Sequence, residues 1–398
     1  TIVQEIAFSL AAGNEYLARL TELDLPVDDI TPRMQFAFST GSNYFLEIAK
    51  IRAARLLWAK IVEQYNPKNQ EAAKTYIHSV SSLWNKTWYD PYVNMLRTTT
   101  ESMASVIGGT DELTVHPFDY TFRKPSAFSE RIARNQQLVL KEEAHFDKIA
   151  DPAAGSYFIE CLTHSVAENA WELFKEIESN GGYIEAFKKG IVQDKIELTV
   201  SQRNINIANR KEILLGTNQY PNSQEKIMAN IDSEYLKKDE EILSDNLLGR
   251  PLKLNRGARE FEELRIKTEK HEKTPKVFMF TYGNVAMRRA RAHFSANFFG
   301  CAGFEIIDNN GFPTIEEGIN AFYESNADIA VICSSDDEYA EIAAPVFEKL
   351  KDTAIVVVAG YPKAIIDDLK DKGLRHFIHI RSNVLESLKV FQRELGIA

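Results

Sequence analysis

Five short apolar runs, each followed by a helical stretch, constrain the last third of this chain more than any other feature of it. The runs are Val277 to Thr281, Phe304 to Ile307, Ile329 to Cys333, Ile355 to Ala359 and Phe377 to Ile380. Strands alternating with helices in this way predict a parallel, doubly wound α/β sheet of flavodoxin type, because a right-handed helical crossover returns each strand parallel to the last. Such sheets take ligands at the carboxyl ends of their strands, beside the point where strand order reverses. Here the residues at those ends are bland, and that blandness bears on function.

Bulk properties exclude several classes. The chain has 398 residues, 44% hydrophobic and 26% charged, which suits a globular protein of two or three domains. A net charge of -10 argues against nucleic acid or an anionic membrane as a partner. The basic run Arg288-Arg289-Ala290-Arg291 is expected on a solvated helix face. No apolar run approaches the roughly 18 residues of a membrane span, and no signal peptide opens the chain. Cys161, Cys301 and Cys333 lie far apart without metal-ligand spacing, so a reducing cytoplasm is expected. Cys333, ending an apolar strand, reads as a small core residue.

The first part of the chain alternates more coarsely. Strands are expected at Arg33 to Ser39, Lys74 to Val80 and Leu113 to His116. Helices are expected at Thr1 to Leu23, Asn43 to Val62, Pro91 to Ile107, Ser129 to Ala144 and Asp151 to Glu176, with Tyr44, Ile48, Ile51 and Leu56 on one face of the second. Units of about 40 residues suit a (β/α)8 TIM-type barrel better than a second open sheet. Three strands cannot close a barrel, and Thr1 is not an initiator methionine. The expectation is therefore the C-terminal part of a barrel over residues 1–190, with a free open sheet as the alternative. Residues 191–272 are polar and charge-dense, and read as a helical linker wrapping a neighbour, with a short surface helix at Arg256 to Arg265. Residues 273–398 form the doubly wound domain.

Several ordered blocks carry a resemblance. They are Thr31 to Lys60; Asp90-Pro91-Tyr92 with Asn94 and Arg97-Thr98-Thr99; Gly108-Gly109-Thr110; Ser129 to Gln137; Asp151 to Tyr157; and Arg256 to Arg265. Together they resemble the methylmalonyl-CoA mutases. The resemblance implies an adenosylcobalamin-dependent isomerase of propionate metabolism, interconverting methylmalonyl-CoA and succinyl-CoA. It implies a barrel around the acyl-CoA, capped by a cobalamin-binding flavodoxin-like domain. There the cofactor carries the radical chemistry and the protein positions it and excludes water.

The catalytic chains of that family carry Asp-x-His-x-x-Gly after the first strand of the cap domain, the histidine serving as lower cobalt ligand and the aspartate orienting it. The corresponding stretch places Val285, Met287 and Ala290 at the three positions. Between Val277 and Gly300 the only histidine is His293, with Arg291 two before it and Ala296 three after, and there is no aspartate. The family's Ser-x-Leu appears as Ser334-Ser335-Asp336, and its Gly-Gly as Ala359-Gly360 followed by Tyr361. On their own, Ser334, Ser335 and Gly360 are ordinary loop residues.

In the barrel, His78 falls where the family keeps an active-site histidine, but Val80 and Leu83 replace the glutamine and glycine expected near it. His78 and His116, both read at strand ends, are candidates without polar company. Arg33, Arg97, Arg131 and Arg134 could clamp CoA phosphates, and read more simply as packing and ion-pair residues. Glu142 and Glu143 are adjacent in a helix and make a poor acid/base pair.

No catalytic, cofactor or metal residue is therefore assigned. The losses within a kept framework resemble the small, non-catalytic subunit of a heterodimeric mutase. That implies a catalytic large subunit as partner, with adenosylcobalamin and acyl-CoA bound through the partner. A mutase that binds cobalamin without a protein histidine, and a free-standing regulatory protein derived from a mutase, are the alternatives.

Overall fold

The computed structural model describes residues 1–236 and 247–397. The chain divides into two compact units. The first comprises Thr1–Lys86, Pro91–Gln202 and Ile231–Arg256; the second comprises Thr87–Asp90, Arg203–Asn230 and Gly257–Ala398.

The first unit runs α1 (Ile2–Thr21), the single turn α2 (Val27–Ile30), β1 (Gln35–Thr40), α3 (Tyr44–Glu63), β2 (Tyr76–Ser81), α4 (Val93–Gly108) and β3 (Glu112–Thr114). Then come α5 (Ala127–Leu138), which ends in a π-helical turn at Val139–Glu143, α6 (Tyr157–Ser179) and α7 (Gly182–Lys188). The strands pair in parallel in the order β1-β2-β3, with Ala37 opposite His78 and Val80 opposite Thr114. Sequential parallel strands with intervening helices are the pattern of consecutive barrel units.

Strand alternation places Phe36, Phe38 and Ile77 toward the helices, in one buried cluster with Ile51, Trp58 and Ile61 of α3 and Leu10 and Leu17 of α1. The Phe36 and Trp58 rings meet edge-on at 4.8 Å. The apolar stripe of α3 differs from expectation at one position. Ile48 and Ile51 are buried, but Leu56 is 45% exposed and Trp58 takes its place. At 3.6 residues per turn, Leu56 is rotated off the stripe that Ile51 begins. Gly108 explains part of a family-like block: a Cβ there would sit 3.0 Å from Ile51 Cδ1 and 3.3 Å from Ile48 Cα, so only glycine lets α4 lie this close to α3.

The carboxyl end of β1 is fixed by a buried ammonium. Lys50 Nζ lies 2.9 Å from Glu5 Oε2 and 2.5 Å from Glu47 Oε2, with no side-chain exposure of its own. Glu5 Oε1 accepts from Ser39 N–H at 2.6 Å, and Glu47 Oε1 from Gly41 N–H at 2.9 Å. Burial works against the charge on Lys50, but the two carboxylates outweigh it and hold the ammonium above its usual range.

α8 (Ile191–Ala208) opens the segment read as a linker, and the unit division falls within it. Residues 237–246 of the same segment lie outside the described residues. The second unit continues with α9 (Arg259–Lys270), β4 (Lys276–Thr281), α10 (Val285–Gly300), β5 (Glu305–Ile307), α11 (Ile315–Ser325) and β6 (Ile329–Cys333). It closes with α12 (Tyr339–Leu350), β7 (Ile355–Val358), α13 (Ile366–Asp371), β8 (His376–Phe377) and α14 (Val384–Glu394). All five strands are parallel, in the order β5-β4-β6-β7-β8. Every residue of β6 is buried, as a central parallel strand covered on both faces must be. Phe278 and Phe280 of β4 join a cluster with Phe322 of α11, Val346 of α12 and Leu369 of α13, while Val277 and Met279 alternate to the opposite face.

One expectation for the connector is corrected. The helix read as a surface element, α9, buries Phe261, Glu262, Leu264, Arg265, Ile266 and Thr268, because its charged residues are matched by partners that are distant in sequence. Arg265 lies 4.0 Å over the Tyr89 ring and donates to Glu225 O at 2.9 Å, while Glu262 accepts from Trp88 N–H at 2.7 Å. Ile207, Leu214 and Ile227 of the same connector are buried in this unit. Among the described residues, no helix is long and apolar enough to cross a membrane.

Replacing Lys50 by alanine leaves Glu47 buried with no cation to meet it. We expect a loss of about 3 to 5 kcal/mol in urea denaturation, against little change for the exposed Lys74→Ala. Equal midpoints for the two variants would remove this cluster from the stabilising core.

Candidate functional site

Strand order in the second unit reverses between β4 and β6, so the crevice for a ligand lies between the loops that follow them. Those loops are joined by one carboxylate. Glu338 Oε1 accepts from Asn284 N–H at 2.9 Å, on the β4 side. On the β6 side Glu338 Oε2 accepts from Ser335 N–H at 3.1 Å, from Ser335 Oγ at 2.7 Å, and from Ser334 Oγ. Ser334 Oγ also lies 2.9 Å from Tyr282 O, so its hydroxyl spans both loops. The Ser334 hydroxyl first, then the Ser335 groups and the Asn284 N–H, hold the Glu338 carboxyl down to about 2.

The backbone is shaped to admit this carboxylate. Gly283 has φ +72°, and a Cβ there would sit 2.3 Å from Glu338 Oε1. Beside it, Arg291 of α10 pairs with Asp336 at 2.9 Å. A Cβ on Gly360 would meet Tyr339 at 3.1 Å and Asp336 Oδ1 at 3.3 Å. The Tyr361 ring is 45% exposed and edges onto His379 at 5.2 Å. The loops after β4 and β6 are thus linked through Glu338.

Val285, Met287 and Ala290 are exposed on the first turns of α10. His293, also exposed, lines with Thr281, Arg288, Arg289, Asp308 and Asn309 a cavity of about 450 Å³. Within the basic run, Arg288 is not merely solvated: it donates to Gly283 O at 3.0 Å and to Asn310 O at 2.7 Å. Cys333 is buried, and burial pushes its thiol up to about 12, which suits the expected core role. Among the described residues, no group of three or more His, Cys, Asp or Glu could hold a metal ion.

In the first unit His78 is corrected from a strand end to mid-strand. It is the third residue of β2, its Nε2 2.8 Å from Thr114 Oγ1, because β2 runs on to Ser81. His116 lies beyond β3, accepts no role from the strand, and stacks on Tyr120 at 4.3 Å. Its N–H donates to Ser81 Oγ at 2.8 Å, and burial followed by the charge of Lys86 lowers its pKa. Sequence reasoning missed Asn85, Lys86 and Glu101. Lys86 Nζ lies 2.8 Å from Glu101 Oε1, which also accepts from Asn85 Nδ2 at 2.8 Å, and both charged groups are almost fully buried. Burial pushes the Glu101 carboxyl up and the Lys86 ammonium down.

Arg33 and Arg97 hold their own surroundings, Arg33 through Asp29 O and Arg97 through Asn94 Oδ1 at 2.7 Å. Arg131 and Arg134 stand exposed on α5, and neither is seen in an ion pair among the described residues. Glu142 pairs with Lys141 at 3.3 Å, and Glu143 is exposed.

A sequence model of methylmalonyl-CoA mutase matches residues 1–253. The chain belongs to the methylmalonyl-CoA mutase family. It is 50% identical over its full length to the methylmalonyl-CoA mutase small subunit of Porphyromonas gingivalis, covering 64% of that protein. It is 37% identical over 89% of its length to the small subunit of Streptomyces virginiae, covering 56% of it. The chain thus spans between about half and two thirds of these relatives. Against the human mitochondrial methylmalonyl-CoA mutase the match is 40% over 55% of the chain and 29% of that protein.

Membership gives the kept blocks of the mutase family a physical reading. Asn94 Nδ2 donates to Phe118 O at 3.0 Å, and Gln136 Nε2 to Met95 O at 2.6 Å and Thr99 Oγ1 at 2.8 Å, tying α4 to α5. Gly155 N–H donates to Glu160 Oε1 at 3.0 Å, and Glu160 pairs with Arg52 at 2.8 Å. What persists is packing.

Glu338 could have been found from sequence. Ser335-Asp336-Asp337-Glu338 has the S-x-x-E spacing of a capping box before the apolar α12, and the reciprocal Glu338 N–H to Ser335 Oγ contact is present at 3.4 Å. Its reach to Asn284 has no local signal.

The Glu338 carboxyl is lowered in the folded chain, so its contribution is complete above the ordinary glutamate range. It is lost as pH falls through that range toward 2. We expect wild-type stability to decline over that interval and Glu338→Gln to flatten that part of the pH profile. Identical slopes in urea titrations at several pH values would assign the decline to other carboxylates.

Proposed function

We propose that this chain is part of the structural small subunit of an adenosylcobalamin-dependent methylmalonyl-CoA mutase, supporting a catalytic large subunit in a cytoplasmic heterodimer. In this reading the interconversion of methylmalonyl-CoA and succinyl-CoA, in propionate metabolism, belongs to the complex. The flavodoxin-like domain of this chain keeps the sheet of a cobalamin-binding domain and none of its ligand positions.

The closed crevice carries the proposal. The residues there do not fit a cobalamin: the Glu338 carboxylate fills the approach over Gly283, and the Arg291–Asp336 pair lies beside it. Val285 and Met287 offer no imidazole to cobalt. Displacing Glu338 would take an acceptor from two N–H groups and two hydroxyls. The match to two proteins named as small subunits supports the same assignment.

The test is a titration of adenosylcobalamin into the chain, alone and with a mutase chain bearing an intact Asp-x-His-x-x-Gly, followed by absorbance and sedimentation. We expect no spectral change alone, and an equimolar complex that binds a single cofactor. Stoichiometric binding by this chain alone, or no association with the catalytic chain, would overturn the proposal.

A further inference from the structure

The chain contains two asparagine–glycine pairs, Asn180-Gly181 and Asn310-Gly311, and the structure holds them in different ways. An asparagine loses its side-chain nitrogen when the next backbone nitrogen reaches its Cγ, and a glycine at that next position puts no Cβ in the way. At the end of α6 this approach is closed. Asn180 Nδ2 donates to Glu176 O at 2.8 Å, so its carboxamide points back along the helix, away from the Gly181 nitrogen. Gly181 N–H in turn donates to Glu178 O at 3.0 Å.

After β5 the approach is open. Asn310 is exposed, and among the described residues its carboxamide has no hydrogen-bond partner. Its backbone carbonyl is fixed instead, accepting from Arg288 Nη2 at 2.7 Å. Gly311 N–H is restrained by one neutral contact on the same loop, to Asn309 Oδ1 at 2.9 Å. The glycine itself is required: its φ is +100°, and a Cβ there would collide with the Arg288 guanidinium.

We propose that Asn310-Gly311 is a site of spontaneous backbone modification. The Gly311 nitrogen, its proton lost to hydroxide, bonds to Asn310 Cγ; the Cγ–Nδ2 bond breaks and ammonia leaves. The succinimide so formed takes up one water. Opening at Cγ gives aspartate, and opening at the backbone carbonyl gives isoaspartate, whose extra methylene lies in the main chain. Either product adds a carboxylate beside Arg288, Arg289 and His293, which line the same cavity. Isoaspartate also displaces the carbonyl that Arg288 grips, and Arg288 joins this loop to Gly283 O at 3.0 Å. The modification therefore reaches the loop after β4. It does not depend on the subunit reading.

The experiment ages the full wild-type chain at mildly alkaline pH in heavy-oxygen water and maps it by mass spectrometry, with isoaspartyl and aspartyl peptides separated by chromatography. We expect label at Asn310, with isoaspartate among the products, at a rate about tenfold above that at Asn180, the factor that one or two hydrogen bonds supply. In the urea-denatured chain the two rates are expected to converge, because only the fold distinguishes the pairs. Equal rates in the folded chain, or a difference that persists in urea, would overturn the proposal. Hydrogen exchange of the peptide spanning 282–288 then reads the consequence. It is expected to be faster in the isoaspartyl chain than in Asn310→Asp, which adds the charge without the methylene. Equal exchange in those two would overturn the coupling through Arg288.

Discussion

A guanidinium almost without access to water organises the connector of the second unit. Arg265 is 2% exposed, and three separate stretches of chain are spent on accommodating it. Residues 87–90 supply the Tyr89 ring beneath it, residues 222–225 supply carbonyl oxygens, and α9 supplies the backbone that holds it. Burying this group without partners would cost several kcal/mol, so the three stretches cannot move apart independently. Neighbouring contacts obey the same constraint: Glu262 accepts from Trp88 N–H, and Glu225 from Asp90 N–H at 2.9 Å. A connector that looks too polar for a core is therefore held by contacts between stretches distant in sequence, with Leu264 and Phe261 buried beside them.

How much of this was legible in the sequence follows from the range of each interaction. The runs Ile329 to Cys333 and Ile355 to Val358 declare themselves because a central parallel strand is apolar at consecutive positions, and that needs no knowledge of neighbours. The helices around Asn43 and Pro91 are legible from periodicity, although Leu56 shows that an apolar residue near a stripe need not be on it. The buried side of α9, the Lys86–Glu101 pair and the Lys50 cluster were not legible. Each draws on a partner that is distant in sequence, Glu101 at 15 positions from Lys86 and Glu5 at 45 from Lys50, even though Glu47 meets Lys50 from the preceding turn. A composition-based reading sends such residues to the surface. His78 was misplaced for a different reason: strand ends are fixed by hydrogen bonding, and Ser82 N–H still donates to Thr40 O beyond the expected terminus.

At the candidate site the sequence shows which residues stand in the loops and not what they touch. The missing histidine and aspartate after β4 are visible in the letters, as are Asp336 and Tyr361 in the later loops. The letters do not show that these changes are coupled. Asp336 has a use because Arg291 stands opposite it, and Gly283 is kept because Glu338 lies against it.

That coupling follows from the physics of parallel sheets. The loops after β4 and β6 present backbone N–H groups at a place where the two strands diverge, and no ladder exists there to satisfy them. In a chain that binds a ligand at this point, the ligand accepts some of these bonds. Where no ligand accepts them, water or another group of the chain takes these bonds, and here Glu338 accepts from Asn284 N–H at 2.9 Å and from Ser335 N–H at 3.1 Å. Glu338 does so at little cost in order, because it is held at the start of α12 by its reciprocal contact with Ser335 and needs to freeze few rotamers to reach Asn284. The donors at this switch point are met by a side chain of the same chain.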